Sequence, residues 1–149
     1  MKNDLPTIAE NRRARFDYEV LETFDAGIEL RGFEVKSAKT GHMQLAGGYV
    51  IVRGIELWLV NSHIPPYQPK NAPPDYKPDR NRRLLMHTEE IKRLAGLIKE
   101  KKSSLIPLRA YVKNNLIKIE LGLARPRKKS DKREFIKKRS HEREMRETD

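Results

Sequence analysis

Three clusters of basic side chains are the residues of this chain whose type and spacing could do chemistry. The arginine guanidinium is a planar fork that binds phosphate through paired hydrogen bonds, and lysine adds a point charge. With 32 Lys and Arg against 21 Asp and Glu, the formal net charge is +11, which attracts polyanions. We therefore expect a nucleic-acid ligand, and the alternative is an ordinary solvated basic surface. The clusters are Arg12, Arg13 and Arg15, then Arg80, Arg82 and Arg83, then Arg125, Arg127, Lys128 and Lys129.

Residues that commonly catalyse reactions are not grouped in the sequence. The four histidines are scattered at spacings that do not place two imidazoles on one metal, and there is no cysteine. The sequence has no P-loop, dinucleotide fingerprint or nucleophile elbow. Asp25 could act as an acid or base, but local spacing places no second carboxylate beside it. We predict no enzyme activity, no metal and no cofactor, and a nuclease assembled from distant acidic residues is the open alternative.

Alternating apolar residues indicate strands in the first half of the chain. A strand is predicted over residues 18–30, with Gly27 as a candidate bulge. Residues 49–60 contain two apolar runs around Arg53-Gly54, which indicates a tight hairpin. Between these strands, residues 33–39 are expected to form a short helix.

A proline-rich loop separates these elements from a helix and a second hairpin. Residues 65–78 contain six of the nine prolines, which fits neither a helix nor a central strand. Thr88 is a candidate N-cap for a helix whose apolar residues recur at helical spacing. Residues 105–123 then form two apolar runs around Lys113-Asn114-Asn115, a hairpin signal that places Lys118 on the solvent or ligand face.

The inventory predicts a mainly β protein with about six short strands and one or two flanking α-helices. A small closed or nearly closed β-barrel leaves such strands without exposed edges, and we assign it residues 1–124. No apolar run has the length of a signal peptide or a membrane span, so we expect a cytoplasmic protein.

Residues 125–149 form a separate basic tail. They hold eleven Lys and Arg, six Asp and Glu and few apolar side chains, too few to offset the entropy of ordering. We predict that this tail is disordered in the free protein and becomes helical on a polyanion. The alternative is a solubilising tail without a partner.

Seven segments carry a resemblance to a known family when taken in order. They are residues 8–15, 24–28, 32–37, 80–85, 113–114, 118–124 and 128–133. With these segments the chain resembles the SsrA-binding protein (SmpB) family, the protein partner of transfer-messenger RNA. The resemblance implies an oligonucleotide-binding-type (OB-fold-like) barrel that grips the elbow of the transfer-RNA-like domain. It also implies rescue of stalled ribosomes by trans-translation, with delivery alongside elongation factor Tu.

The resemblance further implies site residues. An acidic residue, a leucine and a lysine of the family's RNA-binding cluster correspond to Asp25, Leu85 and Lys118. The tail is expected to form a helix in the empty messenger channel, with Asp131, Lys132 and Arg133 near the decoding site of the small ribosomal subunit. The rival interpretation is a general single-strand RNA-binding or ribosomal protein.

The predicted sites combine the basic clusters with the residues of the resemblance. The RNA-binding set is Asn11, Arg12, Arg13, Arg15, Asp25, Gly27, Lys36, Ser37, Arg80, Arg82, Arg83, Leu85, Asn114, Lys118, Arg125, Lys128 and Lys129. The ribosome-directed set in the tail is Asp131, Lys132, Arg133, Lys137, Lys138 and Arg139.

Overall fold

Seven strands and four helices make up residues 5–147, the part of the chain that this computed structural model describes, with side chains described to residue 143. The strands are β1 (Thr7–Glu10), β2 (Tyr18–Ile28), β3 (Tyr49–Arg53), β4 (Glu56–Val60), β5 (Arg82–Leu85), β6 (Ser104–Lys113) and β7 (Leu116–Pro126). The helices are α1 (Ala14–Asp17), α2 (Gly32–Lys39), α3 (Thr88–Lys101) and α4 (Lys129–Glu147). A 3-10 turn, Pro69–Asn71, lies in the proline-rich loop.

Six of the strands close into an antiparallel barrel. The order around it is β6-β3-β4-β5-β2-β7, and β7 returns to pair with β6. The shortest strand pairing in the barrel is that of β3 with β6, in which Val50 and Leu105 are the one pair of opposed residues. The prediction of a mainly β barrel of about six strands is therefore confirmed. Strand β1 was not predicted, because it is four residues long and pairs only with the outer edge of β6.

The barrel interior is filled by aliphatic side chains from the strands and from α3. Leu57, Leu84 and Ile119 are fully buried, and Leu94 of α3 closes one end of the same core. Burial of each such side chain stabilises the fold by about 1.5–3 kcal/mol. The predicted helix over residues 33–39 is present as α2, and its Ala38 also joins this core.

A second, smaller apolar cluster lies on the outside of the barrel. Ala14 of α1 packs there against Ile106 and Leu108 of β6 and Ala124 of β7. Helix α1 therefore covers the outer face of β6 and β7 around these residues.

Two local predictions are wrong. Gly27 is not a bulge, because it sits in regular register with Leu85 and Lys118, and the irregularity of β2 lies between Val20 and Glu22. Thr88 is not the N-cap of α3: His87 occupies that position, with no side-chain capping bond.

Both predicted hairpins are confirmed. In the second hairpin, Asn114 and Asn115 have φ angles of 51° and 63°. Two successive left-handed residues match the twist of the flanking strands, and asparagine tolerates this conformation better than most residues.

The basic tail is helical in this structure. Strand β7 ends at Pro126 and α4 begins at Lys129. The predicted disorder of this tail in the free protein, and the predicted domain boundary after residue 124, stay predictions.

Candidate nucleic-acid interface

A row of cross-strand neighbours crosses the outer face of the barrel. Leu85 of β5 pairs with Gly27 of β2, Gly27 with Lys118 of β7, and Lys118 with Tyr111 of β6. Directly opposed residues project to the same side of a sheet. The flanking residues are buried in the core, so the row faces outward.

Gly27 allows the strands of this row to approach closely. A Cβ atom at Gly27 would lie 3.3 Å from the Leu85 Cβ. Leu85 is 46% exposed, as the alternation of side chains along β5 predicts for a residue that follows the buried Leu84. A side chain at Gly27 would therefore crowd Leu85 on this face.

A second row of charged residues lies beside the first. Asp25 pairs with Glu120, Glu120 with Arg109, and Arg109 with Glu10 of β1. Arg109 Nε lies 3.8 Å from Glu120 Oε2, and Arg109 Nη1 donates to Thr7 Oγ1 at 2.7 Å. This row thus places three carboxylates and one guanidinium side by side across four strands.

Tyr111 connects the two rows. Its hydroxyl donates to Asp25 Oδ1 at 2.8 Å, and the Arg109 guanidinium carbon lies 4.5 Å from the centre of its ring. Burial and the hydrogen bond to Asp25 raise the pKa of the Tyr111 hydroxyl. The phenol therefore stays neutral at physiological pH and donates a hydrogen bond to the carboxylate.

The first row and Asp25 line a surface depression with a volume of about 580 Å³. Its lining combines Asp25 and Glu90 with the cations Lys113 and Lys118, and Leu85 adds an apolar contact. The structure thus brings together predicted RNA-binding residues from three separate strands: Asp25 and Gly27 of β2, Leu85 of β5 and Lys118 of β7.

Arg80 and Arg82 do not belong to this surface. Glu34 of α2 is fully buried and accepts hydrogen bonds from Arg80, Arg82 and Tyr76. Burial alone would raise the pKa of Glu34, but hydrogen bonds from Arg80, the Arg31 backbone and Arg82 outweigh it and lower the pKa to about 2. The cluster joins α2, β5 and the end of the proline-rich loop.

The prediction that Arg82 binds RNA is wrong. Its side chain is 0% exposed, and all three guanidinium nitrogens donate to groups of the protein. Arg80 is 28% exposed and its guanidinium donates twice to Glu34, so it has a structural role, and its contact with RNA stays a prediction.

Two predicted polar residues are also buried. Asn11 is 9% exposed, and its Nδ2 donates to the Pro107 carbonyl at 2.9 Å. Ser37 is 0% exposed on the packed face of α2. Ser37 therefore cannot reach a ligand at the surface, and its predicted contact with RNA is wrong. Asn11 lines a small surface depression with Arg12 and Arg15, so its contact with RNA stays a prediction.

The other predicted basic residues lie at the surface. Arg83 is on the same face of β5 as Leu85, 3.8 Å from Glu56. Arg13 contacts Asp17 at 3.5 Å, and Arg125 Nε donates to the Lys101 carbonyl at 2.9 Å. The exposed members of the predicted set are Arg12, Arg13, Arg15, Lys36, Asn114, Arg125, Lys128 and Lys129.

The start of α4 packs against α1. The rings of Phe16 and Phe135 are 6.5 Å apart, and Lys132 Nζ lies 3.4 Å from Asp17 Oδ1. Arg127 stacks on Phe135, with 4.7 Å between its guanidinium carbon and the ring centre. The other predicted tail residues, Asp131, Arg133, Lys137, Lys138 and Arg139, are exposed.

Sequence reasoning missed Arg109, Tyr111 and Glu120. They lie on the outer face of β6 and β7, where a strand pattern alone predicts ordinary solvent-facing positions. Tyr111 is 2% exposed and Glu120 is 7% exposed, so this part of the face is covered. The signal that could have found them is the hairpin register, which places Tyr111 opposite Lys118.

Within residues 5–147, no three His, Asp or Glu side chains are grouped so that they could hold a metal ion. None of the helices described there is long and apolar enough to cross a membrane.

The closed antiparallel barrel and the charged depression on its outer face assign this protein to the class of oligonucleotide-binding-type barrels. Residues 8–148 match the family model described as SmpB protein. The SsrA-binding protein of Gloeothece citriformis is 46% identical over 138 residues, which cover 93% of this chain and 89% of that protein. The SsrA-binding protein of Thermosynechococcus vestitus is 43% identical over 145 residues, which cover 97% of this chain and 95% of that protein.

A solved structure has the same fold. It is described as "tmRNA-SmpB: a journey to the center of the bacterial ribosome" and matches with a TM-score of 0.66 and 41% sequence identity. The match covers 85% of this chain and 92% of the other. The chain belongs to the SmpB family.

Proposed function

We propose that this protein binds the transfer-RNA-like domain of transfer-messenger RNA and delivers it to stalled ribosomes for trans-translation. The observation that carries the proposal is the single depression that Asp25, Leu85 and Lys118 line together. These residues stand at the positions of the family's RNA-binding cluster, and their convergence supports a shared ligand. The protein acts as an adaptor without catalysis, in the cytoplasm, with elongation factor Tu in the delivery complex.

The depression suits a folded RNA better than an unstructured strand. Lys113 and Lys118 supply charge for phosphate oxygens, whereas Asp25 accepts hydrogen bonds and repels phosphate. Leu85 offers an exposed apolar contact for a sugar or a base face. Recognition then depends on the shape of the RNA backbone and on its 2′-hydroxyl groups.

Exposed cations around the barrel extend this contact. Arg83 lies on the face of Leu85. Arg12 and Arg13 directly precede α1 and Arg15 lies in it, and all three are exposed. Each adds a phosphate contact that strengthens binding without reading sequence. The exposed residues Lys36, Asn114, Arg125, Lys128 and Lys129 are the remaining candidates of this kind.

The tail supplies the second contact, to the ribosome. Its residues Asp131, Lys132, Arg133, Lys137, Lys138 and Arg139 approach the decoding site and the empty messenger channel. A barrel that holds one RNA and a tail that binds another gain affinity through effective concentration.

Recovery and sequencing of the RNA that co-purifies with the protein tests the proposal directly. Enrichment of transfer-messenger RNA is the expected result. A filter-binding titration should then show a loss of ~1–3 kcal/mol for Lys118→Ala, the range for one good contact. The control Lys70→Ala removes an exposed lysine of the proline-rich loop and should bind like the unmodified protein. Equal affinity for unstructured RNA would overturn the proposal in favour of a general single-strand binder.

A further inference from the structure

We infer that Tyr111 and Arg109 are positioning residues of the RNA-binding surface, which hold the Asp25 carboxylate as an acceptor for an N–H or O–H donor of the RNA. The inference rests on the proposed function and deepens it. It assigns a role to two residues of β6 outside the family cluster, and it names the chemistry that Asp25 recognises.

Asp25 is held in place by a hydrogen bond from Tyr111. Asp25 is an exposed residue, and an exposed carboxylate ordinarily samples several rotamers. Here its Oδ1 accepts the hydroxyl of Tyr111 at 2.8 Å, and Tyr111 is itself 2% exposed. A surface carboxylate that is bonded to a buried phenol is held in one place before the ligand arrives. Such preorganisation reduces the entropy that binding costs.

Tyr111 is held in turn by contact with Arg109. The Arg109 guanidinium lies over the ring, with 4.5 Å to its centre, and its side chain is 13% exposed. Arg109 is held in turn by Thr7 Oγ1 at 2.7 Å and by Glu120 at 3.8 Å. The support therefore comes from β1 and β7 as well as β6, so the position of the phenol is set by three strands.

The negative charge of Asp25 restricts which atoms of an RNA it can bind. An ionised carboxylate only accepts hydrogen bonds, and it repels phosphate oxygens. The neighbouring Lys113 and Lys118 can hold the phosphates in the same depression. Asp25 must therefore face a neutral donor, which in RNA is a ribose 2′-hydroxyl or a base amino or imino group. The raised pKa of Tyr111 agrees with this, since its hydroxyl remains a donor to Asp25.

The test is a double-mutant cycle with the transfer-RNA-like domain of transfer-messenger RNA as the probe. Tyr111→Phe removes one hydroxyl and should weaken binding about tenfold, as expected for a hydrogen bond to a charged group. In the Asp25→Ala background the same change should have almost no effect, because no side-chain oxygen is left at this position to accept the hydroxyl. A purely structural role would lower affinity equally in both backgrounds. Tyr67→Phe, at an exposed tyrosine, is the matched control.

A spectroscopic measurement separates positioning from folding. The carboxyl carbon signal of Asp25 in the free protein should shift in Tyr111→Phe and also in Arg109→Lys, which keeps the charge but loses the planar group. An Asp25 signal that is unchanged in both variants would overturn the inference.

Two RNA probes identify the donor. One carries 2′-deoxy substitutions in the elbow, and the other carries inosine in place of guanosine, which removes an amino group. One of these should bind the unmodified protein less tightly and lose that difference in Asp25→Ala. We expect the donor to be one of these two groups, and the donor assignment is wrong if neither difference depends on Asp25. If Tyr111→Phe binds normally while Asp25→Ala and Lys118→Ala are weak, positioning fails but the proposed function stands. Normal binding by all three variants overturns the proposed function.

Discussion

Arg82 and Glu34 form an ion pair inside the protein, with 2.8 Å between Arg82 Nη2 and Glu34 Oε2 and both side chains 0% exposed. Arg82 belongs to β5 and Glu34 to α2, and Tyr76 of the proline-rich loop donates to the same carboxylate at 2.9 Å. The pair therefore fastens a long irregular segment to the barrel that carries the proposed RNA-binding surface.

Removal of the carboxylate should destabilise the whole protein. Glu34→Ala leaves two buried or half-buried arginines without their partner, and we expect the free energy of unfolding to fall by about 3–5 kcal/mol. Urea unfolding followed by circular dichroism measures this. The control Glu100→Ala removes an exposed carboxylate of α3 and should change stability by less than about 0.5 kcal/mol. Similar losses in the two variants would contradict the role given to Glu34.

Stability should also fall in acid because of Glu34. Its pKa is about 2, below the ordinary 4.5, so its contribution is complete above pH 4.5 and is lost as the pH falls towards 2. The difference corresponds to about 3 kcal/mol. Urea unfolding at several pH values between 6 and 2.5 measures the slope, which should flatten in Glu34→Gln and persist in Glu100→Gln. An equal slope in all three proteins would show that another group is responsible.

Adjacent arginines of β5 should behave differently. Arg83 is 41% exposed on the face of Leu85, whereas Arg82 is buried. Arg83→Ala should weaken binding of the transfer-RNA-like domain by ~1–3 kcal/mol, with little change in stability. Arg82→Ala should instead lower stability, because it leaves Glu34 without a buried partner. Filter binding and urea unfolding of both variants measure the contrast, and a reversed pattern would refute our assignment of the two side chains.

Gly27→Ala should disturb the RNA-binding surface without unfolding the barrel. The new Cβ would lie 3.3 Å from the Leu85 Cβ, so Leu85 must move by a few tenths of an ångström. We expect the affinity for the transfer-RNA-like domain to fall by about 1 kcal/mol. Gly32→Ala is the matched control, since its Cβ would meet no atom within 4 Å. Normal binding by Gly27→Ala would show that Leu85 has no exacting position in the complex.

Deletion of residues 131–149 should separate the two proposed contacts. The barrel and its depression remain, so the affinity for the transfer-RNA-like domain should be nearly unchanged. Tagging of stalled products in a translation assay should be abolished, because the ribosome-directed side chains are gone. A truncated protein that still supports tagging would contradict this division of labour.

The sequence predicted the elements whose signals are local. The second hairpin follows from Asn114 and Asn115, which adopt left-handed conformations that few other residues tolerate. Helix α3 follows from apolar residues at helical spacing, of which Ile91 and Leu94 are buried. Strand β1 escaped prediction, because four residues that pair with one edge of β6 leave almost no periodic pattern.

Only the tertiary structure decided which charged residues face the ligand. By sequence alone Arg80, Arg82 and Arg83 form one basic cluster, and all three were assigned to RNA. The fold buries Glu34 of α2. A charge in the core is tolerated only when it is paired and hydrogen-bonded, so Arg80 and Arg82 bind Glu34. Likewise, Tyr111 meets Asp25 only through the pairing of β6 with β7 and of β7 with β2. Composition and local pattern therefore determine the barrel, the cationic character and the tail, whereas long-range strand register determines the site.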